Sequence, residues 1–261
     1  MHLRHQERGA VGRLFRAMNT AQTIRQAVAE VERLREESRS VPAIAAGVAE
    51  VKRFQARRFA GTYADLLASA SYGAAARFFL DELYSERDYG ARDAQFARIA
   101  GAVEKLFPKD VAETAAGLAR LHALTESLDH SMARAGRLAD SADVSTYVRA
   151  WKATDRRADR QRQLDTVVAI GAELARLTRL PGLRLMLRMM RGPATAAGMQ
   201  SLQRFLESGF DNFAAVTRLR GGAEQFLETI RQREKHLMDL LFDADPVACE
   251  TELHRVLGQA R

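Results

Sequence analysis

One cysteine, Cys249, stands in 261 residues, so the chain can form neither an internal disulfide nor a cysteine-rich zinc module, a usage that fits a reducing compartment. Tryptophan is also single, and aromatic residues make up only 7% of the chain. The longest stretch without a charged residue is 192–203, well short of the ~20 apolar residues that a membrane-spanning helix requires. The first residues, Met1-His2-Leu3-Arg4-His5-Gln6-Glu7-Arg8, are polar and basic, and no apolar secretory segment follows them, which leads to the expectation of a cytoplasmic protein. Strand formers are scarce: Val, Ile and Thr supply 33 residues against 110 for Ala, Leu and Arg, and no window keeps the period-two alternation of a half-buried strand. Signatures of common chemistries are missing too. There is no Gly-x-Gly-x-x-Gly, phosphate-binding loop, His-Glu-x-x-His or Gly-x-Ser-x-Gly.

What remains is helix. Apolar residues make up 47% of the sequence, and a chain of this length buries roughly 70–75% of its unfolded surface. The 3.6-residue period shows in Ile24, Val28, Val31 and Leu34, then after Pro42 in Ile44, Val48, Val51 and Phe54. Thr62 with Asp65 reads as a capping box for a short helix, and Ser71 as the cap of the helix carrying Phe78, Phe79 and Leu83. Phe96, Ile99, Val103 and Leu106 continue the pattern to Pro108, where Asp110 with Glu113 forms a second capping box ahead of Val111, Leu118, Leu121, Leu128 and Met132. Asn19 reads as the cap of the first helix and Asp143 as that of the helix with Tyr147 and Trp151; further helices run to Leu180, from Pro181 to Arg191, from about Thr195 to Leu219, from Gly222 to Phe242 and from Pro246 onward, the last initiated by Asp245. These signals predict an all-α protein of ten or eleven helices, in one large domain or two abutting bundles. The division expected is a basic extension over 1–18, a helical half over 19–136 and a second over 143–261.

Three blocks carry a resemblance. Phe78-Phe79-Leu80-Asp81-Glu82-Leu83-Tyr84 with Arg87-Asp88-Tyr89 and Ala91-Arg92-Asp93-Ala94-Gln95 is the first, Leu121-His122-Ala123-Leu124-Thr125-Glu126-Ser127-Leu128-Asp129 the second, and Arg188-Met189-Met190-Arg191-Gly192-Pro193-Ala194 running on to Leu202-Gln203 and Phe205-Leu206-Glu207-Ser208-Gly209-Phe210 the third. Together they resemble an all-helical proteobacterial family, a domain of unknown function with the pattern FFLxELYGxxDF…ARDxQ, over roughly residues 60–235. Ser85 replaces the glycine and Gly90 the serine expected from that pattern. The resemblance implies a helical fold and brings no activity with it.

Two constellations bear chemistry. His122, Glu126 and His130 recur every fourth residue and project from nearly one helical face, a spacing that can supply part of a transition-metal site or a haem ligand, although the Glu-x-x-His of di-iron bundles is absent. The plainer reading has His122 hydrogen-bonded to Glu126 and His130 in solvent. Residues 149–191 hold 11 Arg or Lys against 4 Asp or Glu, which accounts for the whole net charge of +7. Such stripes neutralise phosphates, but Asp155, Asp159 and Asp165 interleave with them, Tyr147 and Trp151 are the aromatic stacking partners nearby, and a solvated face laced with ion pairs explains as much. The run 183–190 is apolar nearly all round, which predicts a central buried helix whose Arg184 or Arg188 meets a carboxylate such as Asp81 or Glu82, or else a bound anion. Cys249 has no neighbour that would activate it and reads as inert.

The reading that follows is a non-catalytic helical binding or interaction protein with no cofactor, in which Asp81, Arg92, Arg184, Arg188 and Arg191 recognise an anionic ligand, a partner protein or a second copy of the chain. The competing reading is a metal- or haem-dependent enzyme centred on His122, Glu126 and His130, and a third is nucleic-acid binding through 149–191.

Overall fold

The computed structural model describes residues 19–83, 90–136, 138 and 143–260. The extension 1–18 and the 84–89 part of the first motif, with Arg87 and Asp88, lie outside the described residues, as does the Glu82 side chain. Among the described residues every regular element is an α-helix: α1 (Thr20–Ser40), α2 (Pro42–Thr62), α3 (Ala64–Ala68), α4 (Gly73–Leu83), α5 (Gly90–Leu106), α6 (Lys109–Gly136), α7 (Val144–Thr154), α8 (Arg157–Leu177), α9 (Leu183–Met189), α10 (Arg191–Ala196), α11 (Gln200–Thr217), α12 (Gly222–Asp243) and α13 (Pro246–Leu257).

Local chemistry starts several of them as expected. Asn19, Asp143 and Asp245 each accept a hydrogen bond from the backbone N–H three residues on, at 2.8, 2.7 and 3.0 Å, and Pro42 and Pro246 occupy the first turns of α2 and α13. Two expected capping boxes do not form. Asp65 instead takes a two-pronged contact from Arg233 at 2.6 and 2.7 Å, leaving Thr62 Oγ1 buried without a partner, and Asp110 lies inside α6, where it pairs with Arg176. Among the described residues thirteen helices stand against the ten or eleven expected, one of the additions arising because the stretch from Arg191 is divided. Gly198, at φ +68°, ends the short α10 before α11 begins.

Helix α6 is the axis of the molecule and packs against α1, α2, α5, α7 and α8. Small residues allow this. A Cβ on Gly47 of α2 would sit 3.1 Å from Ala133 Cβ of α6, and the α1 contact is made largely of Ala21, Ala27, Ala116 and Ala119 around Ile24. One apolar cluster joins Val51, Phe54 and Met132 to Tyr147, Trp151, Leu241 and Leu253. A second joins Phe59, Tyr63 and Phe79 to Leu164, Val168, Phe213 and Phe226. Both therefore draw on residues from either side of 137–142. The 183–190 run is not central: Leu183 is buried, but Leu185 and Met189 are 61% and 69% exposed. Seven residues between Gly182 and Met190 make a helix of only two turns lying on α11, too short to bury more than one edge.

Candidate functional site

Where α1, α2, α4, α5, α6, α8, α11 and α12 converge they leave a cavity of about 150 Å³. Phe59, Phe79, Phe96, Phe205, Leu118, Leu121, Leu206, Val167 and Ile230 form most of its wall. Its other side is polar and is built by successive turns of α6 facing α2. His122 Nε2 lies 3.0 Å from Asp93 Oδ2, which also accepts from Arg35 Nη2 at 2.7 Å. One turn on, Lys52 donates to Glu126 Oε1 at 2.6 Å, and Thr125 Oγ1 accepts from Gln163 Nε2 at 2.8 Å. A further turn brings Asp129 Oδ1 to Gln55 Nε2 at 2.9 Å. Glu234 of α12 closes the row, held by Arg58 and by the Tyr63 hydroxyl at 2.9 Å. At the opposite end the Arg92 guanidinium rests 4.4 Å over the Phe205 ring.

The carboxylates differ in character. Burial pushes the Asp93 carboxyl up, but hydrogen bonds and charge from His122 and then Arg35 outweigh it and hold the group below the usual range. For Asp129 burial prevails: with the Glu126 charge it overcomes Lys52, Arg160 and the Gln55 hydrogen bond, and the carboxyl is pushed up to about 6.

Of the residues expected to bind an anion, Arg92 lines the cavity and the others do not. Arg184 is paired with Asp211 at 2.8 and 3.0 Å on the surface rather than with Asp81, which is exposed on α4. Arg191 holds Glu207, whose carboxyl its hydrogen bond draws down to about 2. Arg188 is exposed beside this pair of acids. His122, Glu126 and His130 share a face of α6 but turn to three separate partners, Asp93, Lys52 and Glu37, the last at 3.8 Å. Among the described residues no group of three His, Cys, Asp or Glu converges as a metal site would require. Two expectations for this face are corrected. His122 bonds Asp93, which α5 brings to it, rather than Glu126, one oxygen of which Lys52 engages, and His130 is buried rather than solvated, because α1 covers it.

The basic segment is largely committed as well. Arg156 holds Asp159, Ser127 and Ser131, Arg157 holds Asp243, and buried Arg160 reaches Met132 Sδ and lies 4.2 Å over Trp151. Tyr147 and Trp151 are buried, with Tyr147 stacked on Phe54 at 3.9 Å. The Cys249 thiol is buried and donates to the Leu240 carbonyl at 3.3 Å, and burial raises its pKa, as an inert thiol requires. No helix among the described residues is long and apolar enough to cross a membrane. Sequence reasoning missed Lys52, Gln55, Asp129 and Gln163, whose one visible signal was polarity at inward-facing positions of α2, α6 and α8.

The described residues thus define an all-helical protein with an amphipathic cavity between its long helices. The chain belongs to the family described as a domain of unknown function (DUF8198), which matches residues 34–248 and so spans all three motif blocks. No match was found among the curated proteins or the solved structures.

Proposed function

We propose that this protein is a non-catalytic helical binding protein whose ligand is a small, mainly apolar molecule held in the cavity beside α6. The observation that carries the reading is a partly open space of about 150 Å³ walled by aromatic and aliphatic side chains and ending in a polar row. Ligand sites in proteins combine an apolar majority with a few placed polar groups in this way, and a space of that size accommodates roughly one benzene-sized ring. This reading does not use the anionic ligand expected at Asp81, Arg92, Arg184, Arg188 and Arg191, of which Arg184 and Arg191 are paired with acids of their own.

Benzyl alcohol, benzylamine and benzoate are suitable one-ring probes. At least one of them raises the melting temperature of the full chain, and Leu118→Trp, which fills the cavity from its wall, removes that rise. A melting temperature unmoved by all three overturns the reading. Acid–base chemistry is a second reading, favoured by the placement of His122, oriented by Asp93, on the cavity wall. It predicts that a molecule recovered from the protein after incubation is altered in mass, or in structure by nuclear magnetic resonance where the mass is conserved, with wild type and not with His122→Gln.

A further inference from the structure

The polar row is lopsided in its hydrogen bonding. Asp93 and Glu234 are each held by two partners. Glu126 and Asp129, one turn apart on α6, are different: Lys52 engages one oxygen of the first and Gln55 one oxygen of the second. Among the described residues their remaining oxygens accept nothing, and neither do the amide oxygens of Gln55 and Gln163, whose NH2 groups are spent on Asp129 and Thr125. None of these four oxygens is among the sealed atoms without a hydrogen-bond partner, which among the described residues are Thr62 Oγ1, His130 Nε2 and Trp151 Nε1, the 3.8 Å from His130 to Glu37 being too long for such a bond. Since Asp129 and Gln55 are buried to 2% and 6% exposure yet line the cavity, the cavity is where their free oxygens are reached. That end of the cavity offers acceptors and asks its occupant for donors.

A protonated primary amine answers this best. Its three N–H donors suit two carboxylate oxygens and one amide oxygen, and its charge suits a pair of acids to which, among the described residues, Lys52 is the one cation hydrogen-bonded, Arg160 acting on Asp129 without such a bond. Resting on the reading of the cavity as a binding site, we infer that the ligand is a primary amine on a hydrocarbon body of about one ring, its ammonium set between Glu126 and Asp129 and its body against Phe59, Leu121 and Phe205. An alcohol of the same shape brings one donor and no charge. A carboxylate brings acceptors to acceptors, with Arg92 at the far end as its compensation.

Calorimetric titration of the full chain at neutral pH with benzylamine, benzyl alcohol and benzoate separates these cases. The expected result is benzylamine bound at least about tenfold more tightly than benzyl alcohol, the margin of one charge-assisted hydrogen bond, with benzoate weakest. Glu126→Gln and Asp129→Asn, which keep shape and hydrogen-bonding capacity, reduce that preference while leaving benzyl alcohol binding in place. Benzyl alcohol or benzoate binding as tightly as benzylamine overturns the amine assignment and leaves the cavity as a binding site, and so does a preference undiminished in both variants. Binding of none of the three to the wild-type chain overturns both. The ranking on wild type stands by itself should either variant fail to fold, which circular dichroism reports.

Discussion

The Asp129 carboxyl titrates differently in the folded and the unfolded chain. Ordinarily near 3.8, it is pushed up to about 6, chiefly by burial. The folded state therefore holds this proton more tightly, and the stability the group contributes is present in acid and is lost as pH rises from about 4 through 6, by an amount on the order of 2–3 kcal/mol. Asp129→Asn keeps an oxygen for Gln55 and does not ionise. Urea denaturation should show variant and wild type alike at about pH 4 and the variant more stable by roughly that amount at pH 7; a constant gap across the range refutes the assignment. Asp93 works in the opposite sense, its lowered carboxyl contributing stability above the usual carboxylate range and losing it in acid. Removing it by Asp93→Ala leaves Arg35 and His122 facing a void and should cost about 3–5 kcal/mol by the same measurement. The i, i+4 face of His122 and Glu126 was readable from spacing alone, but their partners were not, because Asp93 lies 29 residues from His122 and Lys52 lies 74 from Glu126.

At the scale of elements, close helix approach depends on missing side chains. A Cβ on Gly61 would stand 1.9 Å from the Val256 carbonyl oxygen, so the end of α2 meets the backbone of α13 with nothing between them. Backbone cannot yield as a flexible side chain does, and Gly61→Ala should cost about 1–3 kcal/mol or more despite alanine's better helix propensity. Gly192→Ala, whose Cβ would meet nothing within 4 Å, serves as the control and should leave the melting temperature near wild type. Helix starts governed by one nearby side chain, as at Asn19, Asp143 and Asp245, were legible in the sequence. The capping boxes at Thr62 and Asp110 were not, since Arg233 and Arg176 arrive from α12 and α8 to claim the acids. Periodicity likewise identified the 183–190 helix and misjudged its place, because an apolar composition cannot report that a two-turn helix will sit at an edge.

For the whole molecule, the apolar clusters tie the part before 137–142 to the part after it. Trp151 sits in the cluster that also contains Val51, Phe54 and Met132, so its fluorescence reports the assembly of both parts. Urea unfolding followed by that fluorescence and by far-ultraviolet circular dichroism should give one coincident transition, and residues 143–261 expressed alone should show neither cooperative unfolding nor a native tryptophan spectrum. Two separated transitions would mean that the parts fold independently.

By itself the sequence determined the helical class, most helix starts and the absence of a membrane-spanning helix among the described residues, because these follow from composition, from a 3.6-residue period and from contacts a few positions apart. Tertiary structure alone decided which acid meets which base, that His130 is buried while Leu185 is exposed, and that a cavity with an acceptor-rich end opens beside α6. Those outcomes depend on which helices face each other across 29 to 176 residues of chain, and local patterns carry no record of that pairing.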